Sequence, residues 1–199
     1  MNDRKATIKR DTRETQVEVT INIDGTGKYS IDTPNGMFNH LLEQLARHGL
    51  IDINLSAQGD ISPGWHHLVE DVGIVLGQAL SSAVGEGKGI LRMGHVMVPL
   101  DETMALVALD IGGRPYAVVN VAFNDPLIGD LPSDLIRHFL EVLALEARMN
   151  LHAQILLDGN DHHKAEALFK ALARALREAL AVDPRVAYEI PSTKGTIRG

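Results

Sequence analysis

The alternation of apolar and polar positions predicts the same series of elements twice along the chain. In the first half, residues 7–23 alternate as a half-exposed strand, and residues 29–32 follow a glycine-containing turn as its hairpin partner. Apolar side chains at helical spacing predict a helix over residues 36–48, a strand follows at residues 51–55, and an apolar helix spans residues 66–84. The predicted order is strand, strand, helix, strand, helix.

The second half repeats this order. Residues 91–110 are predicted to form one long strand, with residues 116–123 as its partner. A helix over residues 133–148, a strand over residues 151–157 and a helix over residues 162–181 complete the half. Repetition of the whole series indicates an internal duplication.

We therefore predict an α+β fold made of two halves, residues 1–89 and residues 90–199, which form one compact unit. Each β-β-α-β-α half is expected to be a mixed sheet backed by two helices. The glycine-rich junction at residues 85–89 is interpreted as a linker. It differs from a phosphate-binding P-loop in its spacing, and Gly89 stands where that loop requires Ser or Thr.

Composition narrows the classes of function. Apolar residues make up 45% of the chain and charged residues 23%, as in ordinary soluble globular proteins. The net charge of −7 predicts no general attraction to nucleic acid or to an anionic membrane. No apolar run approaches the roughly 20 residues of a membrane span, and residues 1–5 lack the apolar stretch of a secretory signal, so we expect a cytoplasmic protein. Because cysteine is absent, nitrogen and oxygen atoms must hold any metal.

A five-residue motif occurs near the start of the last helix of each half. Its copies are His66-His67-Leu68-Val69-Glu70 and His162-His163-Lys164-Ala165-Glu166. The first helix of each half also carries a histidine, His40 or His138. Gly159 lies 100 residues after Gly59, whereas the two motifs lie 96 residues apart, so the first half has extra loop residues within residues 61–65.

Helical geometry constrains how these motifs can bind a metal. Side chains four residues apart share a helix face, whereas neighbours diverge by about 100°. The first histidine and the glutamate of each motif therefore share a face, and the second histidine, His67 or His163, points elsewhere. If both histidines of a pair bind metal, they most easily serve different ions. The ligands must then converge from separate helices or separate chains.

Eight side chains, three histidines and one glutamate from each half, are candidate metal ligands. They are His40, His66, His67, Glu70, His138, His162, His163 and Glu166. Four ligands leave two positions open on an octahedral ion, as catalysis requires. The alternative is that these are solvated side chains in first helical turns, but the duplication favours ligands. Asp71 is a candidate hydrogen-bond acceptor for an imidazole, and the unduplicated His48, His95 and His152 are interpreted as structural.

Candidate anion-binding and acid–base groups lie elsewhere in the chain. Arg92, Arg114 and the segment Pro191-Ser192-Thr193-Lys194-Gly195 offer positive charge, hydroxyls and backbone N–H groups that suit a phosphate. An exposed tail is the alternative interpretation of that segment. Glu14, at the start of the first strand, is a candidate general acid or base, and residues 101–102 are a further acidic pair.

Taken together, these segments resemble the imidazoleglycerol-phosphate dehydratase family over essentially the whole chain. The matching motifs are Arg10-x-Thr12-x-Glu14-Thr15, Phe38-x-His40, His66-His67-x-x-Glu70-Asp71, His162-His163-x-x-Glu166 and Pro191-Ser192-Thr193-Lys194-Gly195. The resemblance implies a fold like that of ribosomal protein S5 domain 2 and two Mn²⁺ ions per active site. It also implies homo-oligomers of 24 subunits with active sites between subunits.

The resemblance further implies a reaction and residue roles. The enzyme would dehydrate imidazoleglycerol phosphate to imidazoleacetol phosphate in histidine biosynthesis, through a metal-bound imidazolate and a diazafulvene-like intermediate. The eight candidate ligands would bind the metal ions. Glu14 would lie at the reacting end of the substrate as the base that removes the carbon-bound proton, with Asp101 as its competitor. The phosphate group would be held by Arg92, Arg114, Ser192 and Lys194.

Two rival functions use the same ligands. A dinuclear metallohydrolase would activate water on two ions about 4 Å apart that share a bridging carboxylate. A metal-assembled cage would use its ions for structure alone. The separate faces of the paired histidines favour two separated ions over the first rival. The open coordination positions and the Ser-Thr-Lys-Gly segment argue against the second.

Overall fold

The computed structural model describes residues 4–59 and 64–197, and it confirms the α+β class. The first half contains β1 (Lys5–Asp11), β2 (Thr15–Asn22), β3 (Tyr29–Asp32), α1 (Gly36–Gly49), β4 (Asp52–Gly59) and α2 (His66–Val84). The second half contains β5 (Met93–Leu100), β6 (Thr103–Asp110), β7 (Tyr116–Asn120), β8 (Leu127–Ile128), β9 (Leu131–Pro132), α3 (Asp134–Glu146), β10 (Asn150–Leu157), α4 (Asp161–Leu180) and a 3₁₀ turn (Pro184–Val186). Residues 61–63 of the expected insertion lie outside the described residues. No helix of the described ranges is long and apolar enough to cross a membrane.

Each half has one strand more at its beginning than the pattern predicted. Residues 7–23 and 91–110 are each an antiparallel hairpin, β1–β2 and β5–β6, rather than one long strand. The first hairpin turns at Thr12, whose hydroxyl accepts hydrogen bonds from the backbone N–H groups two and three residues later. The second turns at Asp101, which has a left-handed φ of 48°. Neither turn contains glycine or proline, so the alternation of apolar and polar residues did not predict either turn.

The predicted hairpin partners are instead edge strands that run parallel to the last strand of each half. β3 pairs with β4, and β7 pairs with β10. Both sheets therefore have the same order, β1-β2-β4-β3 and β5-β6-β10-β7. Parallel neighbours need a crossover connection, which α1 and α3 provide. The matching topology supports the duplication.

The helices join the two sheets through one hydrophobic core. α1 packs against α4, and α2 packs against α3, so each pair contains one helix from each half. The ring of Phe139 contacts those of Phe38 and Phe169, with ring centroids 5.3 and 5.5 Å apart. Gly77 allows close approach of α2 to α3, because a Cβ there would lie 2.6 Å from the Cβ of Glu146. This pairing sets each duplicated motif opposite a helix of the other half.

A buried ion pair anchors the first turn of α4. Lys164 is 1% exposed, and its Nζ lies 2.6 Å from Oδ1 of the buried Asp161. The same ammonium donates to the carbonyl of Ala122 and to Asp158, both at 2.9 Å. Asp161 Oδ2 accepts hydrogen bonds from the backbone N–H groups of residues 124–125. The pair therefore fixes the segment after β7 against the helix start that carries the His-His motif.

Replacing Lys164 by Met should lower the free energy of unfolding by about 3 kcal/mol or more, because Asp161 would keep a buried charge without its partner. The matched control is Lys9→Met, which breaks an exposed ion pair with Glu18 and should leave the unfolding midpoint nearly unchanged. Urea unfolding of the metal-free chain, followed by circular dichroism, measures both. Equal effects of the two substitutions would contradict the anchoring role.

Candidate metal clusters and phosphate cavity

Two clusters of histidine and glutamate side chains lie on the helix pairs that join the halves. They are His40, His162 and Glu166 between α1 and α4, and His66, Glu70 and His138 between α2 and α3. In each cluster, one potential ligand atom from every residue lies within 4.8 Å of the others. The four-residue spacing thus places the first histidine and the glutamate of each motif together.

In the first cluster, both histidines point at one carboxylate oxygen. The Nε2 atoms of His40 and His162 lie 3.0 and 2.8 Å from Oε1 of Glu166. Lys170 Nζ lies 2.6 Å from the other oxygen. Burial opposes ionisation of Glu166, but hydrogen bonds from Lys170 and the two imidazoles outweigh it and lower its pKa to about 2. The cluster therefore presents a carboxylate and two imidazoles.

The second cluster leaves a buried nitrogen without a partner. The rings of His66 and His138 stack with centroids 4.6 Å apart. Nε2 of His138 lies 3.6 Å from Oε1 of Glu70, which is too far for a hydrogen bond, and it has no hydrogen-bond partner among the described residues. Buried polar atoms are normally paired. A cation held by these nitrogen and oxygen donors would supply that pairing.

The second histidine of each motif faces a hairpin turn instead of a cluster. Nδ1 of His67 lies 3.5 Å from Oε2 of Glu14, and Nδ1 of His163 lies 3.1 Å from Oε2 of Glu102. Oδ2 of Asp101 lies 3.7 Å from Nε2 of His163, so Asp101 and Glu102 of the β5–β6 turn form a third group of possible ligands with His163 of α4. The chain thus brings six of the predicted ligands together as two groups of three. It holds His67 and His163 apart from both.

The carboxylates near these histidines differ in their partners. Glu102 accepts a hydrogen bond from the backbone N–H of Asn160 at 2.6 Å, and this bond is the main cause of a pKa lowered to about 2. Asp71 accepts hydrogen bonds from Arg10 Nε at 2.7 Å and from the hydroxyl of Thr15, rather than from an imidazole as predicted. Asp71 therefore ties the turn that carries Glu14 to α2.

The predicted phosphate-binding residues line one cavity of about 430 Å³. They are Arg92, Arg114, Ser192 and Lys194. Arg92 donates to both carboxylate oxygens of Asp110, at 2.6 and 2.9 Å, and to the carbonyl of Pro191 at 2.9 Å. These bonds hold its guanidinium, and the segment 191–195, at the cavity wall. The sequence had given no sign of the Asp110 partner.

This cavity lies far from the motif of the same chain. β5 runs for eight residues from Met93, at the cavity wall, to Leu100, beside the turn that faces His163. At about 3.3 Å per residue, that strand spans roughly 25 Å. Helix α4 spans a similar distance. It starts at the motif, and near its other end the carbonyl of Ala179 accepts a hydrogen bond from the backbone N–H of Arg92, a residue of the cavity wall. A small phosphorylated molecule cannot span both ends.

A family model described as imidazoleglycerol-phosphate dehydratase matches residues 33–176, a range that contains all eight predicted ligands. The chain belongs to the imidazoleglycerol-phosphate dehydratase family. Among its curated relatives, the imidazoleglycerol-phosphate dehydratase of Dehalococcoides mccartyi strain CBDB1 is 54% identical over 197 residues, which is 99% of both chains. That of Methanothermobacter thermautotrophicus is 52% identical over 98% of both chains.

Solved imidazoleglycerol-phosphate dehydratase structures share the fold. The crystal structure of the enzyme from Staphylococcus aureus N315 matches with a TM-score of 0.82 at 35% identity, over 90% of this chain and 99% of that one. The Pyrococcus furiosus enzyme in complex with (S)-C348 matches with a TM-score of 0.81 at 34% identity, over 94% and 99%. The predicted resemblance to the imidazoleglycerol-phosphate dehydratase family is thereby confirmed.

Proposed function

We propose that this chain is a metal-dependent hydro-lyase that converts imidazoleglycerol phosphate to imidazoleacetol phosphate and water, a step of histidine biosynthesis in the cytoplasm. The observation that carries the proposal is the pair of imidazole–carboxylate clusters built from the duplicated motifs. The name shared by relatives of nearly full length supports the substrate and the reaction class.

We propose Mn²⁺ as the cofactor, with two ions per active site. All donors in the clusters are imidazole nitrogens or carboxylate oxygens, and the unpartnered Nε2 of His138 suits a metal ion. Each cluster would supply two histidines and one glutamate, and His67 or His163 of another copy would complete each set. When bound, the metal supplies Lewis-acid chemistry to the imidazole and to the leaving hydroxyl.

The remaining tasks fall on side chains of the protein. Arg92, Arg114, Ser192 and Lys194 would fix the phosphate end and so align the carbon chain for reaction. Loss of water removes a hydrogen from one carbon and the hydroxyl from its neighbour beside the ring, and the resulting enol becomes the ketone. We assign removal of the carbon-bound proton to Glu14, which is exposed and lies beside His67.

The distance between cavity and clusters supports an active site shared between copies. About 25 Å separates the two ends of β5, so a single chain cannot offer both the phosphate cavity and the motif to one substrate. A second copy that places its cavity against the clusters of the first removes the difficulty. A closed homo-oligomer of 24 copies, as the family resemblance implies, would repeat this contact throughout.

The direct test of this proposal is to incubate the Mn²⁺-loaded assembly with imidazoleglycerol phosphate. We expect the ketone product, detected by mass spectrometry as the loss of one water. Chelation of the metal should abolish it, and added Mn²⁺ should restore it. Release of inorganic phosphate would instead indicate a hydrolase. Intact metal and assembly without any product would leave the ions a structural role.

Substitution of Glu14 by Gln should lower turnover at least about a hundredfold, because the amide cannot accept the proton. Mn²⁺ binding and assembly should be preserved. The matched control is Asp101→Asn, since Asp101 is also an exposed carboxylate close to the second histidine of a motif. Steady-state kinetics of both variants decide between the two carboxylates. Near-normal turnover of the Glu14 variant with loss in the Asp101 variant would reverse the assignment.

Mixing two inactive variants should restore activity if the site is shared between copies. His138→Ala removes a cluster ligand, and Arg114→Ala removes a cavity cation. Each homo-oligomer should be nearly inactive. Co-assembly in equal amounts should recover about a quarter of wild-type activity, because half of the clusters and half of the cavities remain intact and pair at random. No recovery in verified mixed assemblies would place cluster and cavity in one chain.

A further inference from the structure

We propose that Glu102 is a positioning residue for His163: it holds the ring proton on Nδ1 and so leaves Nε2 free to bind the metal ion. The inference rests on the ligand role of His163 within the proposed function. Glu102 itself would remain outside the coordination sphere.

The contact geometry determines which ring nitrogen carries the proton. Nδ1 of His163 lies 3.1 and 3.3 Å from the two carboxylate oxygens of Glu102. An ionised carboxylate only accepts hydrogen bonds, so Nδ1 must be the donor, and in the neutral imidazole that binds a metal Nε2 then carries the lone pair. A carboxylate in this position orients a ligand imidazole and raises its basicity.

Glu102 is itself fixed from two directions. The backbone N–H of Asn160, at the N-terminus of α4, donates to Oε1 of Glu102 at 2.6 Å. Gly159 leaves the space that the carboxylate occupies, because a Cβ there would lie 2.5 Å from the same oxygen. The following residue, Thr103, is buried and donates its hydroxyl to the carbonyl of Leu157 at 2.7 Å. The turn, the strand end and the helix start therefore hold Glu102 and His163 in one arrangement.

The other half of the chain provides an internal comparison. Glu14 precedes the buried Thr15 in the first hairpin, as Glu102 precedes Thr103 in the second. Glu14 lies 3.5 Å from Nδ1 of His67, and that nitrogen has no hydrogen-bond partner among the described residues. Of the two equivalent turns, one thus holds a glutamate that is hydrogen-bonded to an imidazole, and the other holds a glutamate that is not. The hydrogen-bonded Glu102 suits the positioning of an imidazole, and Glu14 suits proton transfer.

The test is a Mn²⁺ titration of the full chain, with unbound Mn²⁺ measured by electron paramagnetic resonance. Glu102→Gln should lower the affinity for one of the two ions by about 10- to 100-fold and leave the affinity for the other unchanged. The matched control is Glu18→Gln. Glu18 is 49% exposed beside Lys9, compared with 48% for Glu102 beside His163. The control should bind both ions as the wild type does, and equal binding by the Glu102 variant would overturn the inference.

A double-substitution cycle separates positioning from direct ligation. In a His163→Ala background, Glu102→Gln should add no further loss, because its effect passes through the imidazole. Additional weakening would mean that Glu102 is itself a ligand and would overturn the positioning role. If His163→Ala binds both ions normally, the proposed metal site fails, and the positioning role fails with it. If His163→Ala weakens metal binding but Glu102→Gln does not, the metal site stands and only the positioning role of Glu102 fails.

A second variant reaches the same contact without removing the carboxylate. Gly159→Ala should push the Glu102 side chain away from His163, because its methyl carbon would lie only 2.5 Å from Oε1. We expect the same selective weakening of one ion, with both ions titrated as before and folding checked by circular dichroism. Normal binding by this variant with a displaced carboxylate would count against the inference.

Discussion

The packing of each helix against a helix of the other half is the constraint on which the candidate site depends. α1 lies on α4 and α2 lies on α3, so the histidine on the first helix of one half meets the motif on the last helix of the other. Each cluster therefore draws its ligands from both halves. A duplication that packed its helices only within each half would have kept these side chains apart. Gly77 supports this arrangement from outside the clusters, because it lets α2 approach α3 closely.

The length of the secondary-structure elements imposes the second constraint. β5 and α4 both connect the motif end of the second half to the phosphate cavity, and both are far longer than a small phosphorylated molecule. The second histidine of each motif also faces away from the clusters of its own chain. In the proposed function, a neighbouring copy would both complete each set of metal ligands and bring a phosphate cavity to the clusters. Metal binding, catalysis and assembly are therefore coupled in the proposed function.

The sequence predicted the features that depend on local periodicity. Four-residue spacing placed His66 with Glu70 and His162 with Glu166, and the repeated element order gave the fold class. It could not reveal the first hairpin of each half, because Thr12 and Asp101 turn the chain without glycine or proline. Nor could it pair Glu102 with His163 or Arg92 with Asp110, since these contacts join elements that are distant along the chain. Partners of this kind depend on the packed fold.

The two halves repeat a geometry but not a chemistry. Lys164 of the second motif forms a buried ion pair, whereas its counterpart Leu68 is a buried apolar side chain. Glu102 accepts a hydrogen bond from the backbone at the start of α4, whereas Glu14 makes no hydrogen bond to Nδ1 of His67, the imidazole that it faces. The proposed dehydration would need one base for its single carbon-bound proton, although it would use two metal sites. One of the two turn carboxylates can therefore hold an imidazole while the other stays free to accept the proton. In the proposed function, divergence of equivalent residues would allow a symmetric scaffold to act on an asymmetric substrate.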